Sequence, residues 1–190
     1  MKRTTGLLMA VLTMVFAMTF SAMGADHNYV GAAKCKVCHM SAKKGGQFGI
    51  WQKSKHASAY ETLGTPASKE VATKAGVSGN PQEAAQCLKC HVTGADAPAA
   101  QKDAKWDKAE GVTCESCHGA GADYSPLKVM RDKEASVAAG MMLPTVETCK
   151  SCHNEESPTY KGFNCAELWA EIAHDNPATE GLGGALPGCK

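Results

Sequence analysis

The order of apolar and polar residues divides this chain into a leader, a string of short helical pieces and a loose tail. Lys2 and Arg3 precede an apolar stretch of 14 residues from Leu7 to Phe20, and Ser21-Ala22-Met23-Gly24 follows with small residues at the −3 and −1 positions. That is the form of a secretory signal peptide over residues 1–24, cut near Gly24 or Ala25. The run is shorter than the ~20 residues a membrane-spanning helix needs, and no second run of spanning length follows, so the mature chain is read as exported and not membrane-spanning.

Beyond the leader the helical period appears in short bursts. Trp51, Tyr60 and Leu63 make a loose helical stripe that Gly64 and Pro66 end, which puts His56 in mid-helix. Thr65-Pro66 starts a helix ending at Gly76. Asn80-Pro81-Gln82-Glu83 supplies a cap, a proline at N1 and a glutamate at N3, and predicts a helix running straight into Cys87. Residues 95–105 form a loose Ala/Asp/Lys loop, and Gly119-Ala120-Gly121 a tight turn. A short helix spans Asp132 to Ala139, stopped by Gly140, and Thr145 caps another. Asn164, with Glu167 as its capping-box partner, opens a last helix with Phe163, Leu168, Trp169 and Ile172 on its apolar face and His174 at its end. The expected fold is mainly α with little β, one domain over 25–176 and an irregular tail over 177–190.

These bursts bury little. Aromatics are only 6% of the 190 residues, thin material for a side-chain core. Cysteine points to what replaces it. Eight of the ten cysteines fall in four identical spacings, each closed by histidine: Cys35-Lys36-Val37-Cys38-His39, Cys87-Leu88-Lys89-Cys90-His91, Cys114-Glu115-Ser116-Cys117-His118 and Cys149-Lys150-Ser151-Cys152-His153. Cys-x-x-Cys-His is the attachment signature of c-type haem. Two thiols three positions apart lie on one helical turn and reach the vinyl groups of one porphyrin, and the next residue brings an imidazole to the iron. Zinc sites do not require a histidine after every second cysteine, and no βαβ pattern supports a thioredoxin-like dithiol. Four covalent haems, wrapped by short helices, would supply the missing apolar interior.

Ligand counting limits what these haems can be. Four six-coordinate irons need eight axial ligands, and the chain has seven histidines. His39, His91, His118 and His153 are proximal, which leaves His27, His56 and His174. His56 and His174 read as distal ligands. His27, just past the cleavage site, reads as an exposed tail residue or as a ligand lent to a neighbouring subunit. Met130, Met141 and Met142 are the best candidates among the mature chain's methionines for an iron without histidine. Cys165 and Cys189 lack haem spacing, and whether they pair is left open.

Charge adds little. Taking Lys2 and Arg3 from the 20 basic residues leaves 18 against 19 acidic, net −1, with no basic patch that argues for nucleic acid.

The motifs in order carry a resemblance. Cys35–His39 with Trp51 and His56-Ala57 behind it, Cys90-His91-Val92-Thr93-Gly94, the block Gly111 to Gly121 around the third motif, Cys149–His153, Ser157-Pro158 and the helix leading to His174 resemble the tetrahaem cytochrome c-554 family. The resemblance implies a helical fold with haems in stacked pairs, and a five-coordinate second haem on His91. It also implies that His56 serves the third haem with His118, and His174 the fourth with His153. In the family the first haem, here on His39, takes a histidine from the loop after the third motif. The loop here, Asp123 to Asp132, has none, and Met130 is the nearest competent ligand, with His27 as the fallback.

The functional expectation is a periplasmic or extracellular electron carrier between redox-partner proteins. The alternatives are an enzyme acting on a small nitrogen oxide at an open second haem, and a subunit of an extracellular haem filament.

Overall fold

A computed structural model describes residues 27–174 and 186–189. The leader predicted over residues 1–24 and most of the tail lie outside the described residues. Ten short helices follow one another: α1 (Ala32–His39), α2 (Gln47–Lys53), α3 (Ala59–Leu63), α4 (Pro66–Lys74), α5 (Ala85–His91), α6 (Cys114–His118), α7 (Leu127–Met130), α8 (Lys133–Ala138), α9 (Val146–Lys150) and α10 (Cys165–Ile172). Single 3-10 turns stand at Ala42–Lys44, Ala99–Gln101 and Lys108–Glu110. Among the described residues there is no strand, only an isolated parallel bridge between Tyr29 and Lys102. The fold is mainly α, as the sequence pattern predicts.

The longest of these helices has nine residues, and isolated helices so short are marginal in water. Caps supply part of what holds them. The Thr65 hydroxyl accepts from Ser68 N with Pro66 at N1, Asp132 accepts from Ala135 N, Thr145 and Thr148 form a reciprocal capping box, and Asn164 accepts from Glu167 N. Each satisfies a backbone donor that has no partner inside its helix.

Three predicted boundaries move. α2 stops at Lys53, where Ser54 takes extended backbone (φ −82°, ψ 161°) and its hydroxyl donates to Trp51 O. His56 therefore lies in the turn between α2 and α3, not in mid-helix. Asn80-Pro81 opens only one turn: Asn80 Oδ1 accepts from Gln82 N, Gln82 Nε2 donates to Tyr60 O, and Ala84 is extended (φ −79°, ψ 118°) before α5 begins. The third is α10, which ends at Ile172 and leaves His174 beyond it.

Buried apolar side chains are few and mostly small, among them Val30, Ala32, Phe48, Ala59, Leu63, Ala72, Val92 and Val146. Much of the joining is polar. Glu115 of α6 is only 3% exposed. Its carboxylate accepts from Val30 N and Gly31 N at 2.9 Å each and from Gly121 N at 2.7 Å. Glu110 accepts from Ala32 N at 2.7 Å and Ala33 N at 3.2 Å, giving a negative partner to the first, otherwise unsatisfied donors of α1.

A second hub lies at residues 111–113. Val112 N donates to His56 O at 3.0 Å, Trp51 Nε1 donates to Val112 O at 2.7 Å, and Thr93 N donates to Gly111 O at 3.0 Å. The Thr93 hydroxyl accepts from Thr113 N at 2.6 Å. Gly111 has φ +70°, and a Cβ there would stand 2.7 Å from His56 O. Glycine is required both by the left-handed backbone and by this approach, which ties the His56 turn to the segment entering α6.

Candidate functional site

Local geometry puts each Cys-x-x-Cys-His on one helical turn. The first three motifs lie within α1, α5 and α6. The fourth starts in α9 and continues into the following turn, where His153 N donates to Cys149 O at 2.9 Å. All eight motif thiols are half-buried and unbridged. Among the described residues no three His, Cys, Asp or Glu side chains converge to hold a metal ion directly. Burial, with smaller repulsion from Cys149, pushes the Cys117 thiol up to about 11, and burial first, then Cys152, pushes Cys90 up to about 11. Such thiols are protonated near neutral pH and are poor thiolate ligands.

The thiols are also neighbours in a particular order. The Cys35 and Cys114 thiols lie close enough to influence each other, Cys117 feels Cys149 and Cys152, and Cys152 influences Cys90. In space the motifs therefore run first, third, fourth, second.

Distant histidines meet in pairs. The rings of His56 and His153 have centroids 6.0 Å apart, and those of His118 and His174 are also 6.0 Å apart. Two imidazoles sharing one iron from opposite faces, each nitrogen about 2 Å from the metal, have ring centres about 6 Å apart. The side chains thus fit the axial positions of two haems. The partners differ from those the family resemblance implies: His56 stands with the fourth motif's His153, and His174 with the third motif's His118. The physical reason is tertiary, because the bonds that tie the His56 backbone to Val112 fix where its turn sits but not which proximal ring its side chain faces.

Backbone carbonyls orient several of these rings. Nδ1 of His118 lies 3.2 Å from Met142 O, Nδ1 of His174 lies 3.0 Å from Ile172 O, and Nδ1 of His91 lies 2.8 Å from Ala59 O. A carbonyl can only accept, so each Nδ1 carries a proton and Nε2 is the nitrogen left to meet a metal. Burial holds His118, His56 and His153 below the usual histidine range, with proximity to His153 adding to the shift at His56. Neutral imidazole is the ligating form. A buried donor fits as well: the indole Nε1 of Trp169, on α10 ahead of His174, has no acceptor among the described residues, where a buried Trp N–H normally finds one and a haem carries propionates.

The remaining predicted residues are placed less completely. His39 Nδ1 lies 3.4 Å from Gln47 Oε1. Neither His39 nor His91 forms a close ring pair with a second histidine among the described residues. Met130 ends α7, half-buried. His27, read from the sequence as an exposed tail residue, is held: its Nδ1 is 2.5 Å from Asp123 Oδ2, and its side chain is 25% exposed. Cys165 and Cys189 form a disulfide with Cα atoms 5.5 Å apart. Glu115, Glu110, Thr93 and Asp123 escaped prediction as structural partners, since an isolated acidic or hydroxyl residue carries no signal of the remote backbone it will meet.

Cys-x-x-Cys-His motifs on short helices, with imidazoles paired at axial spacing, form the set of side chains that a c-type cytochrome uses to hold its haems. Residues 34–119 match the family model described as cytochrome c554 and c-prime. The chain is similar to cytochrome c-554 of Nitrosomonas europaea, 29% identical over 157 residues, which is 74% of this chain and 64% of that relative, so slightly less than two thirds of the relative's length is spanned. No solved structure matches. The chain is thus similar to the cytochrome c-554 family over residues 34–119, somewhat less than half of its length.

Proposed function

We propose that the chain is an exported tetrahaem cytochrome that carries electrons between redox-partner proteins in the periplasm or outside the cell. The observation that carries this reading is the pairing of His56 with His153 and of His118 with His174 at 6.0 Å, beside four attachment motifs in contact order first, third, fourth, second. A bound c-type haem supplies a one-electron Fe(III)/Fe(II) couple. The chain's own residues do the rest. Eight cysteines anchor the porphyrin edges, and the carbonyls of Met142, Ile172 and Ala59 aim ligand nitrogens. Contact between successive motifs sets the order in which redox centres adjoin.

Export is supported by the leader sequence and by the Cys165–Cys189 disulfide, which suits an oxidising compartment. No helix among the described residues is long and apolar enough to cross a membrane. The test is mass measurement of mature protein from a host competent in cytochrome maturation, joined to a redox titration followed by electron paramagnetic resonance. Four added haems with several low-spin signals are expected; fewer haems overturn the tetrahaem assignment.

One observation favours a second activity. His91 is locked through Ala59 O and has no ring partner among the described residues, which suits an open coordination position on the second haem. Nitric oxide or nitrite offered to the reduced protein distinguishes the two: binding with turnover makes the chain an enzyme, and binding without turnover leaves it a carrier.

A further inference from the structure

We propose that His27 is the distal ligand of the first haem, opposite His39, and that Asp123 is the positioning residue that aims it. This rests on the tetrahaem reading. Four of the seven histidines are proximal and two more stand with His153 and His118, so His27 is the histidine still unassigned.

Its surroundings are those of a ligand. Nδ1 is engaged by the Asp123 carboxylate at 2.5 Å. An imidazole whose Nδ1 is engaged by a carboxylate has Nε2 left to face a metal, the usual second-shell arrangement of a metal-bound histidine. Nε2 sits in a notch at Gly140, where φ is +95° and a Cβ would stand 2.5 Å from that nitrogen. Glycine at this position keeps the ligating edge clear.

Location selects the first haem. Ala122 N donates to Asn28 O, one residue from His27. Val30 and Gly31, just ahead of α1, are held by Glu115. Tyr124, next to Asp123, donates its phenol to Gly119 O; burial and then the nearby Cys35 thiol push that phenol's pKa up. The third motif already has His174. The second lies on the other side, where Cys90 meets Cys152 and Lys89 pairs with Glu156. The family's distal histidine is missing from the loop after the third motif, but that loop supplies Asp123, which fastens a histidine coming from the other end of the domain.

The experiment uses oxidised holoprotein shown by mass to carry four haems, read by electron paramagnetic resonance and optical spectroscopy. Wild type should show three haems with histidine–histidine low-spin signals; two such haems overturn the proposal. In His27→Ala one of the three should convert to high spin and return to low spin on adding imidazole. In His27→Met the same haem should gain the far-red Met-to-iron charge-transfer band, a result that survives if the alanine variant matures badly. The responsive signal must be the one that His39→Met also perturbs. Asp123→Asn should keep the haem low-spin while shifting its potential upward. Unchanged spectra in His27→Ala, or a far-red band already present in wild type and lost in Met130→Ala, would overturn it. A haem count below four fails the tetrahaem reading instead, so the two failures are distinguishable.

Discussion

The two ends of this molecule are joined by different physics. Around the first and third motifs, and out to Thr93 just past the second, segments are sewn together by buried polar bonds: Glu115, Thr93 and Thr113 are 3%, 3% and 5% exposed, and each has a remote backbone or side-chain partner. Between the second and fourth motifs, and on to the tail, the links are an exposed Lys89–Glu156 ion pair, the approach of Cys90 to Cys152 and a disulfide that brings the tail to α10, with Val146 N of α9 donating to Pro187 O. A buried acceptor must be matched by donors at one position, because an orphaned partner costs far more than a made bond gains. The first region is therefore specified in register. The second is tethered, and its final geometry depends more on covalent links. The family model stops at residue 119, within the sewn region.

Substitutions that separate the two regions test this contrast. Glu115→Ala should have the largest effect, about 4 kcal/mol, because it strands three buried N–H donors. Denaturant unfolding of the holoprotein reads the loss, and hydrogen exchange should place it at residues 28–34. Removing the disulfide with Cys165→Ala and Cys189→Ala closes no loop in the unfolded chain and should cost about 3 kcal/mol. Its exchange signature should fall on α9 and α10 and spare Val30 and Gly31; protection lost at both ends would erase the distinction. Thr93→Val removes the acceptor for Thr113 N and should cost about 1–2 kcal/mol, with the spectral change centred on the third motif. Lys89→Ala breaks an exposed pair, so its melting temperature should match wild type at moderate salt. A clear fall would show that the second region has more polar support than its exposure suggests.

Much of the site was legible because it is local. A thiol, a second thiol three positions on and an adjacent imidazole need only one helical turn, so Cys35, Cys87, Cys114 and Cys149 announce themselves. The caps at Thr145 and Asn164 were legible for the same reason. His56 and His174 were legible as distal candidates by counting, but their partners were exchanged relative to the family expectation. His27 was misread because position near a chain end suggests exposure, while its Asp123 contact exists only after the loop behind the third motif folds back. Glu115 and Glu110 were silent, since nothing in a glutamate's neighbours in sequence tells which N–H groups will reach it.

From residue order alone come the four Cys-x-x-Cys-His spacings and the chemistry they offer, the small number of histidines beyond them and the run of short helices, all consequences of spacings within one or two turns. Tertiary structure alone decided which imidazoles face each other, the contact order of the motifs and the use of buried carboxylates as fasteners. Those choices join segments remote in sequence. They are set by where buried donors and acceptors can all be satisfied at once, a condition no local pattern encodes.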